Sequence, residues 1–280
     1  MRPELQKKID FAIWLLKTVG ESYDGTIEVA YSGGKDSDVI LQLAKEAGIK
    51  YRAIYKNTTI DPPGTIKHAE EMGAEVVRPK KTFFQLMDEN GMPSRYYRFC
   101  CSKLKEYHYD KSMHKVVMGI RKAESVKRDK NYDSPTECIG TKKDPNEAIY
   151  PILTWTDEDV AEFIADRNIK CAPRYYDEEG NFHVERRLGC MCCPLQSEKL
   201  RRESFKEFPK MARAYIRHLD IYMRTHPDSE YLSYYDDAYE WFYAEVFCAT
   251  REEFRDTKTA ILFEKPNYKE YLENYFKIKL

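Results

Sequence analysis

The chain has 280 residues, of which 42% are hydrophobic and 33% charged, and its formal net charge is −1. Such a chain is globular, with core enough for one large domain or two small ones. The near-neutral charge excludes a global basic field for nucleic acid, though not a local patch, and no apolar run approaches the ~20 residues of a membrane span.

Residues 4–19 carry Leu5, Ile9, Ile13 and Leu16 at helical spacing, which predicts an amphipathic helix ahead of the first strand. The opening Met1-Arg2-Pro3-Glu4 is charged, so no signal peptide is expected and the predicted location is cytoplasmic. A strand over 26–31 is followed by Gly33-Gly34 and a helix to about Ala47, with Gly48 placed for a C-terminal cap. Tyr51–Tyr55 reads as a second strand, a helix runs from about Thr65 to before Gly73, and Glu75–Arg78 reads as a third strand. Thr82 and Gln85 form a capping box that opens a helix closing near Gly91, and Lys115–Ile120 reads as a fourth strand. Residues ~122–148 are polar, with scattered Gly, Pro and Asp, and read as a long loop. After Pro151 the pattern changes. Thr156 caps a helix that begins Asp157-Glu158-Asp159, Tyr175–Val184 reads as a small hairpin, and the chain from Glu198 onward reads mostly helical. Strands alternating with helices imply parallel β-α units. The predicted fold is therefore α/β, a doubly wound parallel sheet over residues 1–150 with a mainly helical region over 151–280.

Ligands in such sheets sit at the carboxyl ends of the strands, and there this chain carries Ser32-Gly33-Gly34-Lys35-Asp36-Ser37. The glycines let backbone approach an oxyanion, and the helix start supplies N–H donors and a positive dipole end. Lys35 adds a positive charge, Ser32 and Ser37 add hydroxyls, and Asp36 offers a carboxylate to Mg²⁺. The spacing matches neither the Walker loop nor the Gly-x-Gly-x-x-Gly dinucleotide fingerprint.

The eight cysteines are the second signal, because five of them fall in two tight clusters, Cys100-Cys101 and Cys190-Met191-Cys192-Cys193. In a cytosolic chain such clusters read as a metal site. Thiolates gathered from two places suit tetrahedral Zn²⁺ or a [4Fe–4S] cluster, and spacing alone does not choose between them. Adjacent cysteines point in diverging directions, which is awkward around one ion and favours the cluster over zinc. The 22 tyrosines read mainly as amphipathic surface and core positions, with base stacking the sharper alternative.

Ser-Gly-Gly-Lys-Asp-Ser directly after a strand resembles the pyrophosphate-binding loop of the ATP pyrophosphatase (PP-loop) superfamily. Arg98-Phe99-Cys100-Cys101-Ser102-Lys103-Leu104-Lys105 resembles the Arg-x-Cys-(Cys/Thr)-x-x-x-Lys segment of its PAPS reductase-like branch. Gly119-Ile120-Arg121-Lys122-Ala123-Glu124-Ser125 with Arg128, and Pro151-Ile152-Leu153-Thr154-Trp155 with Asp159-Val160, resemble two further motifs of that branch. Asn57-Thr58-Thr59 with Pro63-Gly64-Thr65 is similar to its segment after the second strand, with Thr59 and Gly64 departing from the usual Gly and Glu. The resemblance implies a Rossmann-like sheet of the adenine nucleotide alpha hydrolase type. It implies an adenine nucleotide held by Ser32, Gly33, Gly34, Lys35, Asp36, Ser37, Asn57, Thr58, Gly119, Arg121, Ser125 and Arg128. It also implies a [4Fe–4S] cluster on Cys100, Cys101, Cys190 and Cys193, leaving Cys192 either to replace a ligand or to carry sulfur as a free thiol.

Lys35 stands where reductases of APS or PAPS carry an altered loop, and no cysteine follows Cys248 to serve as their attacking thiol. The expected activity is therefore cleavage of ATP to an adenylate and pyrophosphate, with Lys35 and Arg121 stabilising charge and Asp36 orienting Mg²⁺. Sulfur would pass through the cluster or Cys192 to a nucleic acid or a small molecule, as in the sulfurtransferase-like components of DNA phosphorothioation systems, which the chain resembles. A sulfur-donor or electron-donor protein is an implied partner. One alternative is an APS/PAPS reductase that releases sulfite. A second is a non-catalytic nucleotide- or nucleic-acid-binding module using Lys199, Arg201, Arg202, Lys206, Lys210, Arg213, Arg217 and Arg224.

Overall fold

The computed structural model describes residues 1–107, 109–139, 146–248, 250, 252–255 and 266–280. The chain divides into two compact units that alternate along the sequence. The first comprises Met1–Asn57, Asp61–Arg78 and His108–Gly189, and the second comprises Thr58–Ile60, Pro79–Tyr107 and Cys190–Leu280.

The first unit is the predicted doubly wound sheet. Its strands are β1 (Ile27–Tyr31), β2 (Tyr51–Lys56), β3 (Glu75–Val77), β4 (Lys115–Val117), β5 (Thr136–Cys138) and β6 (Glu147–Ile149), in the order β3-β2-β1-β4-β6-β5. All neighbours run parallel except β5, which is antiparallel to β6. β1 is central, and Ile27, Val29 and Tyr31 on one face and Glu28 on the other are buried, as expected of a strand covered on both faces. Successive strands are added to one side of β1 as β2 and β3, then to the other as β4 and β6. The order reverses at β1 and β4, and the loops leaving their carboxyl ends open a crevice.

The sequence signals mark the helices of this unit well. α1 (Pro3–Glu21) buries Leu5, Ile9, Ala12, Leu15, Leu16 and Val19 and packs on α2 (Lys35–Ala47). Gly48 caps α2 at φ 66°. α3 (Thr65–Glu71) follows β2. The predicted loop over 122–148 is corrected in part: it holds α6 (Val126–Asn131), β5 and β6, while its residues 140–145 lie outside the described residues. Three-residue strands carry no readable alternation, so pairing with β4 created β6.

α7 (Asp157–Asp166) opens with a capping box between Thr156 and Asp159. Asp159 also accepts Arg2 Nη2 at 2.8 Å and Lys8 Nζ at 2.5 Å, which ties α1 to the start of α7. Burial pushes the Asp159 carboxyl up, but Lys8, the Thr156 N–H and Arg2 more than offset this and leave its pKa below the usual value. A depressed acid stabilises the fold above its unfolded pKa and loses that contribution as pH falls through its folded one. Asp159→Asn is therefore expected to cost about 1–2 kcal/mol at pH 7. The penalty should shrink below pH ~4, read from urea unfolding at both pH values.

The second unit is mainly helical: α4 (Phe83–Asn90), α5 (Phe99–Leu104), α8 (Glu198–Glu207), α9 (Pro209–Thr225), α10 (Ala238–Phe247) and a last helix, Tyr268–Phe276. The Thr82–Gln85 capping box that starts α4 is present on both sides. Its core is aromatic: Phe205 meets Tyr215 and Phe242 edge-on, with centroids 5.2 and 5.0 Å apart. Among the described residues no helix is long and apolar enough to cross a membrane.

Candidate functional site

In the first unit, β1 ends at Tyr31 and the chain turns through Ser32, Gly33 and Gly34 into α2. Gly33 has φ 76°, in the left-handed region where glycine is unstrained. A Cβ there would also lie 2.8 Å from Thr65 Cγ2. Ser37 Oγ donates to Gly34 O at 2.6 Å, and Ser32 Oγ lies 3.3 Å from Ser37 Oγ, so the two hydroxyls brace the turn. Just past the neighbouring strand β4, Gly119 approaches so closely that a Cβ would lie 2.9 Å from Asp36 O and 3.1 Å from Asp36 C. Gly119→Ala must push this turn aside. It is expected to cost about 1–3 kcal/mol of stability, with loss of nucleotide binding, checked by thermal melts with and without ATP.

The turn, Gly119, Arg128, Tyr175 and Arg187 line a cleft of about 260 Å³. Lys35 is only 4% exposed. Its Nζ lies 3.2 Å from Asp36 Oδ2 and 5.7 Å from the Tyr175 ring centroid, and its backbone N–H donates to Tyr175 Oη at 3.1 Å. Arg128 forms an ion pair with Glu124, and burial draws its pKa down. Arg187 Nη2 donates to Glu124 O at 2.7 Å. A turn of backbone amides beside one lysine and two arginines suits a polyphosphate.

Arg121 sits elsewhere than the sequence suggested. It is 1% exposed and each nitrogen of its guanidinium is held: Nε donates to Asp36 Oδ1 at 2.7 Å, Nη2 to Asp157 Oδ1 at 2.7 Å, and Nη1 to Trp155 O at 3.3 Å. It does not line the cleft but fixes Asp36 from behind. The Asp36 carboxylate thus lies between two cations, Lys35 and Arg121, on the wall of the cleft. Ser125 also has a local task, since its Oγ accepts the Arg128 N–H at 3.2 Å. Asn57 donates its N–H to Val77 O at 3.0 Å in the first unit, whereas Thr58 belongs to the second.

Tyr175, Arg187 and Glu124 as cleft residues escaped the sequence reading. The only signal for Arg187 was the Arg186-Arg187 pair just ahead of the second cysteine cluster. Asp38 escaped it as well. Fully buried one turn into α2, it accepts Tyr31 Oη at 2.5 Å and lies 3.0 Å from His68 Nε2, and burial raises its pKa.

In the second unit, Cys100, Cys101, Cys190 and Cys193 line one cleft with Thr58, Ile60, Phe83, Leu104, Lys105 and Pro194. Cys100 and Cys101 open α5, while Cys190 and Cys193 lie on the turn before α8, held where Met191 N–H donates to Ile60 O at 2.8 Å. All four are free thiols. Cys100 donates to the Cys101 sulfur, which lowers the Cys101 pKa and, with burial, raises that of Cys100. Burial raises Cys193 too. The space between them is small, about 20 Å³. Among the described residues no three His, Cys, Asp or Glu converge as the ligands of a single ion must. The donor set is nonetheless all thiol in apolar walls, which fits soft thiolate-bound iron better than Mg²⁺ or Ca²⁺.

Cys192 does not line this cleft. It is fully buried at φ 56°, its N–H donates to Ser204 Oγ at 3.0 Å, and burial pushes its thiol up to about 12. The basic row also disperses. Arg202 and Arg213 donate to the carbonyls of Phe247 and Lys279, Arg224 pairs with Asp220, and Arg201 is buried.

The model of the phosphoadenosine phosphosulfate reductase domain matches residues 26–196. The chain belongs to this family. The match runs from β1 through the glycine turn to Cys193, so both clefts contain residues of the phosphoadenosine phosphosulfate reductase domain. Two relatives come from Methanocaldococcus jannaschii. The uncharacterized protein MJ0973 is 30% identical over 188 residues, covering 62% of this chain and 43% of its own, and the uncharacterized protein MJ0066 is 28% identical over 237 residues, covering 77% and 46%. The chain thus spans less than half the length of either. Among solved structures, the U34-tRNA thiolase NcsA from Methanococcus maripaludis with its [4Fe-4S] cluster aligns over 80% of this chain and 82% of its own, at 16% identity and a TM-score of 0.42.

Proposed function

We propose that this protein is an ATP pyrophosphatase that adenylates its acceptor and serves sulfur transfer to a nucleic acid or a small molecule. One observation carries the reading: the cleft after β1 joins a left-handed glycine turn and the start of α2 to Lys35, Arg128 and Arg187. These groups match a pyrophosphate in charge and in donor geometry. An acceptor oxygen attacks the α-phosphorus, the bond to the bridging oxygen breaks, and its electron pair leaves on pyrophosphate. Lys35 and the turn amides neutralise the charge that grows there. Arg121 acts through Asp36, holding the carboxylate that positions the Lys35 ammonium. Magnesium would arrive on the phosphates, where the Asp36 carboxylate on the cleft wall would orient it.

Cys100, Cys101, Cys190 and Cys193 would hold a [4Fe–4S] cluster, whose four irons these thiolates would fill, so it would supply electrons and could take sulfide only where one thiolate gives up its iron. In this reading Cys192 is a packing residue, since a buried thiol with a pKa near 12 is neither accessible nor ionised at neutral pH.

The family match favours one other reading, a sulfonucleotide reductase. Product analysis separates the two. Anaerobically purified protein given ATP, Mg²⁺ and mixed tRNA and DNA fragments should release pyrophosphate, and given APS or PAPS with a dithiol it should release no sulfite. Sulfite release without pyrophosphate release would overturn the proposal.

A further inference from the structure

Tyr175 borders the cleft after β1, and the fold leaves one bonding capacity of its hydroxyl unused. The residue ends a short turn of 3-10 helix, Pro173–Tyr175, and its carbonyl accepts the His183 N–H at 2.7 Å. Its ring packs on Phe182 with centroids 6.0 Å apart, and the whole residue is 2% exposed. The hydroxyl is therefore held in one place, at the floor of the glycine turn. There its Oη accepts the Lys35 N–H at 3.1 Å and lies 3.3 Å from where a Cβ on Gly34 would stand. Lys35 is the first residue of α2, and an N–H at a helix start is one of the unpaired amides that bind anions. Here that amide is taken by a side chain.

The Leu188 N–H acts on the same oxygen, so two amides fill its acceptor side. What remains is the hydroxyl proton. Burial lifts the Tyr175 pKa well above its ordinary value, so the proton stays in place at neutral pH. No acceptor for it lies among the described residues, although a buried donor left unmatched is costly, and the open space beside the residue is the cleft. The two amides also polarise the O–H, which strengthens the bond it can give. We propose that Tyr175 is a phosphate-binding residue, whose hydroxyl accepts the Lys35 and Leu188 amides and donates to a non-bridging oxygen of the ATP pyrophosphate moiety. This role rests on the pyrophosphatase reading of the cleft and extends it: the start of α2 reaches the anion through a fixed hydroxyl as well as through the turn amides. Being neutral, the donor supplies direction rather than charge, which Lys35, Arg128 and Arg187 provide.

The test is calorimetric titration of the whole, anaerobically purified chain with magnesium pyrophosphate, parent against Tyr175→Phe. Phenylalanine keeps the ring, its packing on Phe182 and its face 5.7 Å from the Lys35 ammonium, and removes only the hydroxyl. Pyrophosphate affinity should fall about tenfold or more, the loss that follows removal of one hydrogen bond to a charged group. A purely structural hydroxyl would lower the melting temperature of the free protein and leave the affinity of the folded protein unchanged, and that result overturns the proposal. Tighter binding by Tyr175→Phe overturns it too, because the hydroxyl would then block the Lys35 amide instead of relaying it. Should the variant not fold, a crystal of the parent soaked in pyrophosphate decides. Tyr175 Oη within about 3.2 Å of a phosphate oxygen, with its Lys35 contact kept, is the expected result. A phosphate oxygen on the Lys35 N–H with the hydroxyl displaced, or a hydroxyl out of reach of the anion, overturns the proposal. A parent protein that binds no pyrophosphate overturns the pyrophosphatase reading and this role with it, whereas a parent that binds and a variant that binds equally well overturn this role alone.

Discussion

Lys35→Met is expected to lower the rate of pyrophosphate release from ATP by about 10²–10³, the loss typical when one preorganised charge is removed from the transition state. The position makes the effect large. Lys35 is nearly buried, its Nζ is held beside Asp36 Oδ2, and its backbone N–H is tied to Tyr175 Oη. The ammonium therefore needs little reorganisation as charge builds on the leaving oxygen. Arg121 does not stand in for it, because it is 1% exposed and anchored to Asp36, Asp157 and Trp155 O. Methionine keeps most of the side-chain volume, so the melting temperature should change little. A variant that binds ATP and still releases pyrophosphate within tenfold of the parent rate would remove Lys35 from the chemistry.

The second large effect is on metal content. Anaerobically prepared protein should carry about four iron and four sulfide per chain, and Cys190→Ser should bring both close to zero. Cys190 and Cys193 come from one turn and Cys100 and Cys101 from the start of α5, so loss of one thiol leaves three ligands divided between two segments. Cys192→Ser tests the assignment from the other side. Its sulfur faces Ser204 in the core rather than the cleft, and the variant should keep its iron while losing some stability. One zinc per chain in the parent protein would replace the cluster with a single-ion site. Iron retained after Cys190→Ser would detach the cleft from any metal.

The parts of this protein legible in the sequence are those set by neighbours along the chain. The capping boxes at Thr82 and Thr156, the left-handed Gly33 and Gly48, and the buried stripe of α1 are local matters of backbone freedom and helical period. So is the chemistry of Ser32–Ser37, because consecutive residues in a strand-to-helix turn stay together in any fold that keeps the turn. The gathering of Cys100, Cys101, Cys190 and Cys193 was anticipated from residue type, since thiols in tight clusters have few other uses, but their convergence on one cleft needed the chain to return after some ninety residues.

What remained hidden depends on pairing and burial between segments distant in sequence. Nothing in Gly-Ile-Arg-Lys tells that Arg121 meets Asp36 from one strand over and Asp157 from another helix, and so becomes a fastener rather than a free charge. Likewise, Cys190 and Cys192 are two residues apart, yet one lines a cleft and the other is sealed in the core. The sequence alone determined which chemical groups the protein owns and the turns that present them. The tertiary structure decided which of those groups keep unspent hydrogen bonds and reach open space, because that follows from how non-local partners satisfy and desolvate each one.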